Sequence, residues 1–282
     1  MHKTTFAVLA MGLAGAGAAH AQSLTEVWNV GGFASPESAY FDADSNQIFV
    51  SNIGEFDVED GKISLVSAEG EVLNADWVTG LTDPKGMGAH GGKLYVADAT
   101  GVHVIDIASG TLDTTITLPG AMFPNDVTVG SDGTVYVSEF FGGGIFRITD
   151  GEAAFWMEPG SLPLPNGLLA MDDRMIVGSF GDEMGEGFSV NNPGGLLAVD
   201  YETGEVTELA NAQGVGSIDG VIALGDMIVY NDNPTGQIFG WANDENIVLG
   251  NAGSGAADIG VMGEVILVPN LNTGVLTAYT YE

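Results

Sequence analysis

Short runs of alternating or wholly apolar residues recur along the chain, each bounded by Gly, Asp or Asn. Six of them align on one pattern: Gln47-Ile-Phe-Val-Ser-Asn52, Lys93-Leu-Tyr-Val-Ala-Asp98, Thr134-Val-Tyr-Val-Ser-Glu139, Arg174-Met-Ile-Val-Gly-Ser179, Met227-Ile-Val-Tyr-Asn-Asp232 and Val265-Ile-Leu-Val-Pro-Asn270. Each reads as a β-strand ending on a polar residue. A loop and a second run follow, opened by Gly61, Gly101, Gly144, Gly195, Gly236 and Gly274. Each is preceded by a polar residue that opens a short apolar strand: Glu37, Lys85, Asn125, Asn166, Asp219 and Asp258. A period of roughly 40–50 residues holding several short strands is the mark of a β-propeller, and no long amphipathic helical pattern competes with it. The last repeat has no room for a fourth strand, whereas Leu24-Thr-Glu-Val-Trp-Asn-Val30 is a spare strand before the first opener. The expectation is an all-β, six-bladed propeller whose N-terminal strand completes the last blade and removes a sheet edge.

In such a blade the innermost strand begins at the opener and runs down the central channel, and the second strand returns to the opener's face. One rim therefore collects the six openers, the second-strand ends and the loops that follow them. Glu37, Asn125, Asn166, Asp219 and Asp258 bring carboxylates and side-chain amides to that rim, with Lys85 among them. Oxygen donors without imidazole or thiolate suit a hard divalent cation, Ca²⁺ above all. Asn and Asp also open strands simply because they close turns well.

The segments Ser35-Pro-Glu-Ser-Ala-Tyr40, Phe123-Pro-Asn-Asp-Val127, Leu164-Pro-Asn-Gly-Leu168 and Ser217-Ile-Asp-Gly-Val221 resemble the strand openings of the senescence marker protein/gluconolactonase/luciferin-regenerating enzyme family, six-bladed propellers related to the paraoxonases. The resemblance implies Glu37, Asn166 and Asp219 as ligands of one divalent cation, with Asn125 a further ligand or a substrate contact. Where the family's sugar-lactone hydrolases carry an arginine, this chain has Phe123, which points away from a sugar substrate.

The chemistry expected at such a site is metal-assisted hydrolysis of a lactone or ester, with Asp219 as general base. Lys85 either holds a substrate oxygen or offsets the carboxylates. Glu139, Asn231, Asp232 and Asp258 are expected to support the site from behind. The same rim carries Phe56, Met122, Phe123, Phe140, Phe141, Phe180 and Phe188, a collar for a substrate with an apolar part, and the insertion 181–194 is the candidate lid. The alternatives are a non-catalytic propeller that binds a ligand or protein around a structural Ca²⁺, and a lyase. A lyase needs a base such as histidine, and His90 and His103 fall away from the site. Asp42-Ala-Asp44-Ser-Asn46 reads as a turn, Phe140-Phe-Gly-Gly-Gly144 is no phosphate loop, and Ser35, Ser38 and Ser217 have no histidine to form a triad.

Composition narrows the partners. The 282 residues include 6 Lys+Arg against 38 Asp+Glu, a net charge of −32, with no cysteine and 43 glycines. That charge excludes a nucleic-acid binder working through a basic groove and argues against anionic membranes. It fits a saline habitat or cation binding. With 45% apolar residues the chain has ample core. A small-molecule substrate and a monomer are expected. Met1-His2-Lys3, the apolar stretch to Ala19 and Ala19-His20-Ala21 read as a secretory signal over residues 1–21. The single propeller domain would then span 22–282, periplasmic or secreted.

Overall fold

A computed structural model describes residues 23–281; the signal reading at 1–21 lies outside them. Six four-stranded antiparallel sheets form the blades of a propeller, and a two-stranded ribbon is inserted in the fourth. The innermost strands are Pro36–Asp42, Met87–His90, Pro124–Val129, Pro165–Ala170, Ile218–Leu224 and Gly260–Met262. The six aligned runs are the second strands. The closing strand is the expected one: Leu24–Gly31 pairs antiparallel with Val275–Tyr281, from Leu24↔Tyr281 to Gly31↔Val275, as the outer strand of blade six.

Each of the six apolar clusters fills the seam between two neighbouring blades. One joins Ile176, Leu196 and Leu209 of blade four to Tyr230 and Phe239 of blade five. Another joins Leu267, Leu276 and Ala278 of blade six to Val50 and Val66 of blade one. The alternation along each strand supplies both faces, one to each seam.

Glycines let the inner strands approach closely. A Cβ on Gly220 would sit 2.2 Å from the Ile259 nitrogen and 2.7 Å from Asp258 Oδ1. Gly220→Ala should therefore cost about 3 kcal/mol of stability. Gly225→Ala, at φ +59° but with nothing within 4 Å of its Cβ, should cost about 1 kcal/mol for backbone strain alone. Denaturant midpoints of the two variants test this; equal losses would show that the blade-five to blade-six approach tolerates a methyl group.

Candidate metal and substrate site

The site is built from repeat positions. In blades one, three, four and five the ladder between first and second strands slips just past the opener, at Pro36/Ala39, Pro124/Val127, Pro165/Leu168 and Ile218/Val221. Such bulges re-aim side chains, and here they turn Glu37, Asn125, Asn166 and Asp219 into the channel mouth. The amides freed by the slip find side chains one residue short of the second strand's end. Ser38 N–H donates to Ser51 Oγ at 2.9 Å, Asp126 N–H to Ser138 Oγ at 2.8 Å, and Gly220 N–H to Asn231 Oδ1 at 2.9 Å.

The last residue of each second strand braces the loop ahead of the opener. Ala34 N–H donates to Asn52, Thr82 N–H to Asp98, Met122 and Phe123 N–H to Glu139, and Ser217 N–H to Asp232. Glu139, Asn231 and Asp232 thus support the site through backbone, with no direct bond to a ligand side chain. Three openers are approached through strained backbone: Ser35, Asp83 and Leu164, at φ 51°, 57° and 36°, precede Pro36, Pro84 and Pro165.

A second ring comes from the residue just after each second strand. Its N–H donates to the loop before the opener in all six blades: Ile53 to Ser35 O, Ala99 to Thr82 O, Phe140 to Phe123 O, Phe180 to Leu164 O, Asn233 to Ser217 O and Leu271 to Gly255 O, at 2.9–3.1 Å. All of these but Ala99 line one cavity of about 200 Å³ together with Glu37, Lys85, Asn125, Asn166 and Asp219. The structure therefore brings five of the six openers into a single pocket.

Blade six departs from the expected pattern. Its register, Ala256↔Asn270 beside Pro36↔Asn52 in blade one, puts Ala257 at the opener position. Asp258 is one residue deeper, where its Oδ2 accepts the Ser38 hydroxyl at 2.5 Å. It lines, with Asp126, a separate cavity of about 310 Å³ in the channel beyond the site. Asp258 is therefore not on the rim as expected, because the slip between Ala256↔Asn270 and Gly260↔Leu267 gives the opener position to Ala257.

The collar divides as well. Phe56, Phe123, Phe180 and Phe188 line the pocket, while Met122 and Phe141 are exposed and do not. Phe140, fully buried, lines it as the apolar rim pattern predicts, whereas Ile53, Asn233 and Leu271, which also line it, carry no such signal in the sequence. The signal that finds them is the repeat itself, read one position past Asn52, Asp232 and Asn270. His103 sits in a third strand with Nε2 3.3 Å from Asp98, and His90 ends the inner strand of blade two at the opposite face.

Electrostatically the pocket floor is a set of buried acids around one lysine. Glu37 Oε2 is buried and accepts no hydrogen bond. Burial first, then Asp219, pushes its carboxyl well above the usual range against the pull of Lys85. Asp219 accepts Asn166 Nδ2 at 2.8 Å and Asn233 Nδ2 at 2.7 Å. Burial raises it to about 7 although both bonds oppose the shift. Lys85 donates from Nζ to the Asp83 carbonyl at 2.8 Å, and Nζ stands 4.5 Å from the centre of the Phe123 ring. Burial lowers its pKa and Glu37 raises it.

Among the described residues no three His, Cys, Asp or Glu side chains form a metal-holding group. The floor supplies two carboxylates, and the further oxygens are the amides of Asn125 and Asn166. An unpartnered buried carboxylate oxygen, with a second carboxylate and two side-chain amide oxygens in the same pocket, is what a hard cation satisfies. The donor set fits the ion that the sequence suggested.

No protein-family model and no curated protein sequence matches the chain. Solved structures do. A calcium-binding protein, regucalcin, from Agrobacterium tumefaciens superposes with a TM-score of 0.67 at 17% identity, over 89% of this chain and 91% of that one. A gluconolactonase from Xanthomonas campestris gives 0.67 at 13%, over 93% and 90%. A streptogramin B lyase gives 0.65 at 14%, over 93% and 98%. At such identities the likeness establishes architecture. The chain carries the six-bladed β-propeller fold that these structures share.

Proposed function

We propose that the protein is a calcium-dependent hydrolase of a small lactone or ester with an apolar part. The observation that carries this reading is Glu37 Oε2, buried without a partner on the floor of a pocket with oxygen donors below and apolar walls above. The calcium-binding and gluconolactonase descriptions of two structural neighbours support extending both properties to this chain. Glu37, Asn166 and Asp219 would hold the cation, with Asn125 as a further ligand or a contact to substrate. Bound there, a divalent cation supplies Lewis-acid polarisation of the carbonyl and balances the charge that develops on its oxygen.

Asp219 is held at both oxygens by Asn166 and Asn233, so its carboxylate keeps one orientation toward the pocket. It takes a proton from the attacking water as the new C–O bond forms. The same proton is then returned to the leaving oxygen as the ester C–O bond breaks. Lys85, fixed by the Asp83 carbonyl and the Phe123 ring, offers its ammonium to a substrate oxygen. The phenylalanine walls keep other water from the reacting carbonyl.

The test is hydrolysis of a panel of lactones and aryl esters with calcium, after chelation, and after calcium is restored. Activity should vanish and return. At a calcium concentration a hundredfold above Kd the ion should add about 2.7 kcal/mol of stability, so the melting temperature should fall by about 5–10 °C on chelation. No turnover on any member of the panel, with the melting shift intact, would overturn the hydrolase and leave a structural ion in a binding propeller.

A further inference from the structure

We infer that the pocket selects a flat aromatic ring, and that Phe188, brought in by the blade-four hairpin, is the residue that sets this selectivity. The inference takes the oxygen-bearing head of the ligand from the hydrolase reading; the ring site stands on its own geometry.

The hairpin is an addition to the blade rather than part of it. Arg174–Ser179 pairs directly with Leu196–Asp200, as second and third strands do in every other blade, and the ribbon Gly181–Met184 with Val190–Pro193 is inserted between them. Its tip, Glu186–Phe188, buries no residue. The hairpin is nonetheless paired and cross-linked by side chains. Asp182 Oδ1 accepts both the Asn192 N–H, at 3.1 Å, and Asn192 Nδ2, at 3.0 Å. Asn191 Nδ2 donates to Glu183 at 2.8 Å, and Gly185 N–H to Ser189 O at 2.7 Å. Both ends are glycines in tight quarters: a Cβ would meet Asn192 O at 2.5 Å from Gly181, and Ser179 O at 2.0 Å from Gly194. In the structure the insertion expected as a lid is a paired hairpin that brings Phe188 to the pocket.

The hairpin presents one side chain to the pocket. Phe188 has φ +59°, next to Gly187 at φ +66°. This is a left-handed conformation that bulky side chains rarely adopt. The ring is 46% exposed, so neither local backbone preference nor core burial accounts for its position. Strain that folding does not need is the kind found at ligand sites. Phe188 lies 6.2 Å from Phe123 and 6.3 Å from Phe140, centroid to centroid, and stacks on Phe141 from outside.

Phe123, Phe140, Phe180 and Phe188 pack on one another as an aromatic wall of the pocket, at centroid distances of 5.4–6.3 Å and with planes that differ by 41–75°. A wall of rings tilted against one another offers a guest both ring faces and ring edges. A planar aromatic guest can meet both, whereas a puckered saturated ring of equal carbon count has no quadrupole to match them. The cavity, at about 200 Å³, is below the size that takes drug-like ligands, so it admits one ring and a short head. Phe123 fixes their separation, because its face carries the Lys85 ammonium while its neighbours form the aromatic wall. The ligand class is a single-ring aryl ester, or a lactone fused to or one carbon removed from the ring.

Two neutral probes with the same head, phenylacetamide and cyclohexylacetamide, separate ring recognition from turnover in a calorimetric titration of the full chain with calcium. Wild type should bind the phenyl probe about tenfold more tightly. Phe188→Ala should bring the two affinities within about twofold, and Phe188→Trp should restore the preference; melting curves of both variants check folding. Equal affinities in wild type, binding of neither probe, or an undiminished preference in Phe188→Ala would each overturn the inference. A phenyl preference that disappears in Phe188→Ala, in a protein that hydrolyses nothing on the panel, would sustain the ring site and dispose of the hydrolase alone.

Discussion

Asp219→Asn is expected to lower kcat/KM by about 10³-fold, within the usual range for loss of a general base, while leaving the propeller folded. The amide replaces a carboxylate that accepts from both Asn166 and Asn233. One of those bonds survives on the new oxygen, and the other meets a second N–H donor. That mismatch costs about 1–3 kcal/mol, offset by removal of a desolvated acid whose pKa burial has already raised to about 7. The melting temperature should therefore move by only a few degrees. Calcium titration should show weaker but measurable binding, because Glu37 and Asn166 remain. Steady-state kinetics on the best substrate decide the matter: full activity in the variant would remove Asp219 from the base role whatever happens to the metal.

The second large effect is on the fold. Deleting residues 23–31 should abolish cooperative unfolding. The deletion removes the outer strand of blade six, from Leu24↔Tyr281 to Gly31↔Val275. It strips Leu24 from the seam between blades five and six, and Trp28 and Val30 from the seam between six and one. It also removes the Trp28 indole bond to Ala68 O at 3.1 Å, which ties blade six to blade one. Three apolar side chains at about 1.5–3 kcal/mol each when fully buried come to about 5 kcal/mol here, comparable to the whole net stability of a domain. The strand Val275–Tyr281 would be left as an open edge. Circular dichroism melts and size-exclusion profiles measure this, and a truncated chain that melts like the full one would show that the ring does not need its closing strand.

Much of this was legible because a propeller repeats one solution. The same second-strand signature appears six times, so blade number, strand order and the common rim followed from alignment of the chain on itself. The closing strand followed from counting: blade six lacked one and the N-terminus had one. Glu37, Lys85, Asn125, Asn166 and Asp219 were found together for the same reason, since equivalent repeat positions lie at equivalent heights around the channel. The ring of Ile53, Phe140, Phe180, Asn233 and Leu271 is equally periodic, yet only its two phenylalanines stand out in the sequence, because its members share a position without sharing a residue type.

By itself the sequence determined what local pattern and repetition determine: strand alternation, turn residues, six blades, the closed ring and the face on which polar openers gather. Tertiary structure alone decided the one-residue register that places Ala257, and not Asp258, on the rim. It decided which phenylalanines face inward, leaving Phe141 outside and Phe140 in the wall. It also folded the insertion 181–194 into a paired hairpin that delivers Phe188 to the pocket. The physical reason is common to all three. A β-bulge or a left-handed turn reverses side-chain direction within a residue or two, and it forms where packing between blades and paired backbone amides favour it.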